Sequence, residues 1–452
     1  MGALDLTVIS AVLPAVIGDL RIPLQEGLDD ASWAVSGYFL AYALGIAVMG
    51  RASDAFGRRA AYLAGLAIFC LGSVLAAVSS ELGPAAADAF SAMAGGSYDR
   101  SFAALYGFVG ARLIQGFGAG AMLPVSLALA GDLFPAGKRS LPLGLISGVD
   151  TAGWVLGHLY GGLLVQVLPW PWIFWLNLPI AAAAFALIWR ALRSLERGSG
   201  TFDWRSAAAL AIALITLDLA LSSSEPGPRG SVVADRVPAL AVPLLVVAAV
   251  AGLLFAWLER RSAAPLFELR SRSRAEVAYA VNFLVGGCLI ATLVSVPLMM
   301  NSAGARSSAS AALASGVVLA AFTLPMAIAA VAGGWLARHR LRPVTLVGLA
   351  VASAGLVLVA QVLPGSAHQA LAFVGALQAP PASGEMGDLR ALATALALSG
   401  MGLGLTIAPL TSMVVDAAAA ERRGTAASLV IALRLLGMMV GTSILTTYGV
   451  RR

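Results

Sequence analysis

The chain has 452 residues, of which 59% are hydrophobic and only 12% charged. Soluble domains carry about 25% charged residues, so an ordinary soluble enzyme or binding domain is excluded. The formal charge of +6 comes from 29 basic and 23 acidic residues. The basic ones gather in short loops between apolar runs, which points to a membrane and not to nucleic acid.

Apolar runs recur from end to end, each near the ~20 residues needed to cross a bilayer. They read as thirteen spans near 1–20, 33–50, 60–79, 101–130, 141–168, 172–190, 206–222, 237–258, 274–298, 312–336, 343–363, 390–414 and 424–449. Helices are expected rather than barrel strands, because a helix satisfies its own backbone in lipid. Cys70 and Cys288 fall inside such runs and read as small packing hydrophobes, not as a disulfide framework.

Between the second and third spans lies GRASDAFGRR, Gly50 to Arg59. It reads as a tight turn on the inner face of a membrane. Gly50 and Gly57 let backbones approach closely, and Asp54 is placed to pair with a cation or a helix N-terminus. Arg58 and Arg59 supply positive charge for the cytoplasmic side.

Loop charge then alternates along the chain. The basic loops hold Arg51, Arg58 and Arg59; Lys138 and Arg139; Arg190, Arg193, Arg197 and Arg205; Arg260, Arg261, Arg270, Arg272 and Arg274; Arg338, Arg340 and Arg342; Arg422 and Arg423. The acidic or neutral loops hold Glu26, Asp29 and Asp30; Glu81, Asp88 and Asp99; Glu225 and Asp235; Glu385 and Asp388. The basic set is expected in the cytoplasm, and strict alternation of the spans puts every one of its loops there.

Gly333 to Pro343 (GGWLARHRLRP) repeats the glycine-then-arginine design of Gly50–Arg59 without its aspartate. Two copies of one inner loop suggest two related bundles. The expected organisation is an N-terminal bundle at 1–190, cytoplasmic linkers with two extra spans at 191–273, and a C-terminal bundle at 274–452. A run without the basic flank of a signal peptide opens the chain, and thirteen spans leave paired bundles one short. More chain is expected at both ends.

Four further stretches carry a family likeness. Ala3 to Pro14 reads ALDLTVISAVLP, Arg112 to Gly120 reads RLIQGFGAG, Gly148 to Gly162 reads GVDTAGWVLGHLYGG, and Leu433 to Gly441 reads LRLLGMMVG. With GRASDAFGRR they resemble the major facilitator superfamily, in its fourteen-span drug:proton antiporter branch. The first three look like that branch's first-span, fourth-span and fifth-span antiporter motifs, the last with Gly148, Gly153, Gly157 and Gly161. His158 stands where a proline is usual. Within the branch the likeness is greatest to the mycobacterial triacylglyceride and multidrug exporters that work beside a lipoprotein.

The resemblance implies an all-α polytopic membrane protein with the major facilitator fold: two six-span helical bundles plus two linker spans. It implies a proton-coupled exporter of hydrophobic compounds, lipophilic drugs or neutral lipids, working by alternating access. The implied place is the inner (plasma) membrane, multi-pass, with the N-terminus cytoplasmic. Protons, membrane lipids and a periplasmic lipoprotein are the implied partners, and no cofactor, metal or enzymatic activity is expected.

Five ionisable residues fall inside spans: Asp5, Arg112, Asp150, Asp218 and Arg434. Each costs about 2.5–3.5 kcal/mol at a helix centre, so a functional reading is the default. At about 1.5 Å per residue, Asp150 lies roughly 15 Å from Ser140, Arg434 lies roughly 15 Å from Gly424, and Asp5 lies about 10 Å from the inner face. Matched depth makes Asp5 and Asp150 the candidate proton-coupling acids with Arg434 as partner, and a static buried ion pair is the other reading. Arg112 is a candidate proton-relay residue or a tie between helices. Asp218 and His158 read as snorkelling and packing groups, with functional roles as their alternatives.

Gly116, Gly118 and Gly120 imitate a dinucleotide fingerprint, but no strand precedes them and close helix packing is expected. Trp154, Tyr160, Met299 and Met300 would line a path for hydrophobic cargo or simply pack. The only lysine is Lys138 and no phosphate-binding loop exists, which excludes an ATP-driven pump. A non-transporting receptor or scaffold and an intramembrane enzyme are the remaining alternatives.

Overall fold

In the computed structural model the described residues are 1–20, 22, 24–94, 99–135, 137–193, 200–222, 238–262, 265–267, 273–302, 308–338, 340–375 and 386–449. The expected loop acids Glu225, Asp235 and Glu385, and Arg197, Arg270 and Arg272, lie outside them, as do the side chains of His158, Met299 and Met300.

Among these residues the chain is all helical. The helices are α1 (Gly2–Asp19), α2 (Leu24–Phe56), α3 (Arg58–Ala77), α4 (Ser79–Ala94), α5 (Arg100–Leu133), α6 (Ser140–Val167) and α7 (Trp172–Ala191). They continue as α8 (Trp204–Ser222), α9 (Pro238–Arg261), α10 (Ser273–Ser302), α11 (Ser308–Leu336), α12 (Leu341–Gly375), α13 (Met386–Ala417) and α14 (Arg423–Gly449). Every expected span is occupied by a helix. Ten of these, α2, α3, α5, α7 and α9 to α14, are long and apolar enough to cross a membrane.

Three expectations need correction. Glu26, Asp29 and Asp30 lie not in a loop but in the N-terminal part of α2. The acidic stretch after the third span is not a loop but α4, a 16-residue helix. Its run PAAADAFSAMA is alanine-rich, and alanine is the strongest helix former. Asp88 on α4 pairs with Arg100 at 2.9 Å in the open, and Asp99 caps α5 through the Ser101 N–H at 2.8 Å. Likewise, Gly50–Arg59 is not a turn over its length. α2 runs on to Phe56, and α3 starts at Arg58. The whole reversal falls on Gly57, whose φ of 95° is open to glycine and strained for other residues.

The chain divides into two compact units. The first holds Met1–Ser126 and Leu163–Leu269, and the second holds Leu127–Gly162 and Arg270–Arg452. Inside each, one pattern of glycine contacts recurs. In the first unit Gly116, Gly118 and Gly120 of α5 press against the backbone of Tyr38, of Gly65 with Phe69, and of Tyr42. In the second, Gly400, Gly402 and Gly404 of α13 press against Phe322, against Gly348 with Ala352, and against Met326. Gly72 meets Gln115, and Gly355 meets Ser399 in the same way. A Cβ at any of these positions would overlap the facing helix, which is how small residues bring membrane helices together. The three glycines of the false fingerprint are packing residues, and the two units share one internal skeleton.

In the first unit the linker docks on the signature loop. The Gly200 N–H donates to the Ala55 carbonyl at 3.2 Å, and Arg51 donates to the Thr201 carbonyl at 3.1 Å. Phe202 packs edge-on against Trp204 at 4.5 Å and tilted against Phe56 at 5.9 Å.

Candidate functional site

The first unit has a polar centre in an otherwise apolar interior. Arg112 of α5 is wholly buried, as is Gln115 one turn on, and Asp5 of α1 is nearly so. The Arg112 guanidinium donates to the Asp5 carbonyl at 3.0 Å and to the Ala34 carbonyl at 3.4 Å, and it also donates to the Gln115 side-chain oxygen. It lies over the Tyr38 ring at 3.9 Å, a cation–π contact that strengthens where water is absent.

Gln115 passes the chain on. Its nitrogen donates to Asp5 Oδ2 and, at 2.9 Å, to the Ser73 hydroxyl. Asn177 of α7 donates to the same Asp5 Oδ2 at 2.8 Å. The other carboxylate oxygen, Oδ1, is buried with no hydrogen-bond partner among the described residues. An orphaned buried acceptor costs about 1–3 kcal/mol, more when charged. A proton on Oδ1 removes that charge.

Among the described residues, the second unit does not repeat the Arg112 and Gln115 of this centre. Leu396 and Phe322, both wholly buried, stand in the shared skeleton where the first unit has Arg112 and Tyr38. Ser399 stands in the place of Gln115 and donates to the Leu396 carbonyl of its own helix at 2.9 Å. The second unit instead brings Asp150 of α6 into the field of Arg434 of α14, with a hydrogen bond from Trp154 one turn along α6. Of the expected acid–acid–arginine trio, Asp150 and Arg434 share the second unit, and Asp5 belongs to the first.

The signature loop forms a buried knot. Arg58 donates to the buried Asp54 carboxylate and, at 2.7 Å, to the Ser53 hydroxyl, which itself donates to the Gly50 carbonyl at 2.7 Å. Arg59 lies over the Trp189 ring at 4.2 Å. Two further pairs join helix ends within the second unit: Arg139 to Asp416 at 2.6 Å and Arg423 to Asp132 at 2.8 Å.

The antiporter-motif glycines lie along α6, which stays helical through position 158. Gly148 packs against Ala327 and Val331, and Gly157 and Gly161 are buried. Asp218 on α8 keeps one buried oxygen without a hydrogen-bond partner among the described residues. Trp154 and Tyr160 are half-buried on α6.

Sequence reasoning missed Ser73, Asn177, Asp132 and Asp416 as members of these clusters. The amide of Asn177 within an apolar run, WLNLPI, was the available signal.

A bundle of membrane-crossing helices with buried, hydrogen-bonded charges and a short charged knot between two of them defines a membrane transporter. The chain belongs to the Major Facilitator Superfamily, whose profile matches residues 1–442. Among curated relatives it is 32% identical over 459 residues to a triacylglyceride transporter of Mycolicibacterium hassiacum, covering 100% of this chain and 77% of that protein. A triacylglyceride transporter of Mycolicibacterium smegmatis is 33% identical over 458 residues, covering 100% and 74%. One from Mycobacterium tuberculosis is 31% identical over 456 residues, covering 100% and 81%. Among solved structures, a proton:xylose symporter of the superfamily matches with a TM-score of 0.58 at 14% identity, over 99% of this chain and 86% of that one. The human organic anion transporter MFSD10 matches with a TM-score of 0.53 at 19% identity, over 99% and 91%. These structural likenesses speak for the fold.

Proposed function

We propose that this protein is a proton-coupled exporter of neutral lipids, triacylglycerides foremost, in the fourteen-span antiporter branch of its superfamily. It sits in the inner membrane with its N-terminus in the cytoplasm and hands cargo to a periplasmic lipoprotein. Residues 1–190 rock against 274–452 around a midplane site. Asp5 and Asp150 take up and release the coupling proton, Arg434 answers the charge of Asp150, and Arg112 holds the Asp5 cluster together. Gly50, Asp54, Gly57, Arg58 and Arg59 form the inner gate.

One observation carries the coupling: the Asp5 carboxylate is buried in the protein, and one of its oxygens has no hydrogen-bond partner among the described residues. A group in that setting changes its charge when a proton arrives, and neutralisation is the cheaper state wherever water is absent. The cargo reading is supported by the relatives, triacylglyceride transporters whose alignments cover the whole of this chain.

The test is a proteoliposome assay of the full-length protein with an imposed pH gradient, comparing a labelled triacylglyceride with a lipophilic dye. Gradient-driven lipid movement that is lost in Asp5→Asn and Asp150→Asn is the expected result. Variants that still move lipid on the gradient at the wild-type rate would sink the coupling, and movement of dye alone would sink the cargo.

A further inference from the structure

The two oxygens of an ionised carboxylate are chemically equal, but the packing around Asp5 makes them unequal. Oδ2 receives two amide hydrogens, one from Asn177 and one from Gln115. Oδ1 receives none among the described residues. The direction of the Gln115 amide is fixed independently. Arg112 only donates, and it donates to the Gln115 oxygen, so the Gln115 nitrogen must face Asp5 and Ser73.

We infer that Asn177 is a positioning residue for the coupling proton: with Gln115 it holds Oδ2 as an acceptor in both protonation states, so that the proton binds and leaves at Oδ1. This rests on Asp5 being the coupling acid as proposed above. An oxygen that accepts two amide N–H groups is the natural carbonyl oxygen of the protonated acid, which leaves the hydroxyl on the other. The step is a simple protonation. A bond forms between Oδ1 and a proton from water on the outer side, and the same bond breaks to return the proton to water on the inner side. Nothing is oxidised or reduced.

The inference brings α7 into the coupling. Its Asn177 is almost fully buried, and Phe174, one turn away, packs edge-on against Phe108 at 5.7 Å. A shift of α7 relative to α1 therefore moves the donor off Oδ2. With the Asn177 donor withdrawn, Oδ2 keeps only the Gln115 hydrogen bond, and the preference for a proton at Oδ1 weakens.

The experiment uses the full chain in lipid bilayers and isotope-edited infrared spectroscopy of the protonated carboxyl, assigned by its loss in Asp5→Asn. Its C=O band falls in frequency as the carbonyl oxygen accepts more hydrogen bonds. Asn177→Leu is expected to raise that band and to cut gradient-driven transport about tenfold, the worth of one hydrogen bond to a charged group. Gradient-independent exchange of cargo across the same membrane is expected to stay within about twofold. Should the leucine variant not fold, Asn177→Ala removes the donor without adding bulk. An unmoved band, or equal loss of coupled transport and exchange, would overturn the inference. If Asp5→Asn abolishes the band yet leaves coupled transport intact, the functional proposal fails instead, and the band shift in Asn177→Leu still decides the geometry.

Discussion

Replacing Arg112 by leucine would give the first unit the side chain that the second unit already carries at Leu396. The consequence can be worked from the contacts. The guanidinium is wholly buried and serves the carbonyls of Asp5 and Ala34 and the oxygen of Gln115. Leucine removes the side-chain donor from the Gln115 oxygen and from two helix carbonyls that keep their backbone bonds, and it takes the neighbouring cation from the Asp5 carboxylate. Each hydrogen bond from a buried charged donor is worth about 1.5–3 kcal/mol. Neutralising Asp5 as well returns part of the loss. The double variant Arg112→Leu, Asp5→Asn is expected to be about 2–3 kcal/mol more stable than the two single losses added together, as for residues in one network. The pH response has a definite sign. In Arg112→Leu a proton on Asp5 removes the uncompensated charge, so this variant gains stability relative to wild type as pH falls. In the double variant that gain vanishes. Unfolding of the purified chain in nanodiscs at pH 8 and pH 5 measures both. Additive losses, or a pH response that survives in the double variant, would refute the view that Arg112 is there for the Asp5 charge.

Two further outcomes follow from single residues. Asn282 on α10 is wholly buried, and neither atom of its amide has a partner among the described residues; Asn282→Leu, of similar volume, is expected to raise stability by about 1–3 kcal/mol in the same unfolding assay, and a loss would contradict an idle amide. Asp203 caps α8 by accepting from the Ser206 N–H at 3.1 Å and the Ser206 hydroxyl at 2.9 Å, so Asp203→Ala is expected to cost about 1 kcal/mol at neutral pH. Burial alone would push this carboxyl up, but hydrogen bonds from Ser262, Ser206 and Arg205 outweigh it and hold it below the usual range. Its contribution is therefore present above the unfolded value near ~3.9 and lost as pH falls through the lower folded value. Wild type and variant should converge in that acid window, and a difference that persists there would refute the charged cap.

The spans were legible because lipid leaves a chain few options. A long apolar run in a bilayer must be helical, and every such run is helical here. α4 escaped because its alanine-rich segment is too short and too charged to read as a span. The helical end of α2 escaped because GRASDAFGRR looks like loop chemistry, whereas only Gly57 breaks the helix. Within the site, charged residues announced themselves through their cost in a membrane. Uncharged Ser73 and Asn177 carry a smaller cost, and their meaning lies in which oxygen they meet. Asp132 and Asp416 sit at helix ends, and each pairs with an arginine distant in sequence, Arg423 and Arg139. Such pairing is a property of packing that local pattern does not encode.

The two units also provide an internal control. Four glycine contacts of the first unit recur in the second, so the same local helix packing is built twice within one chain. In the second copy, Leu396 and Phe322 occupy the central positions and the fold tolerates them. The scaffold therefore does not require an arginine or a glutamine at these positions of its middle helix. Natural sequences keep locally unfavourable groups mainly where function needs them. A charge that insertion scales set at about 2.5–3.5 kcal/mol has been kept at Arg112, while its structural counterpart is plain leucine. That contrast argues that the Asp5 cluster was retained for its chemistry. It also fixes what the leucine variant must do if the argument holds. It should preserve the packing of α2, α3 and α5, as the second unit does with the same side chain, and fail only where Asp5 must be charged.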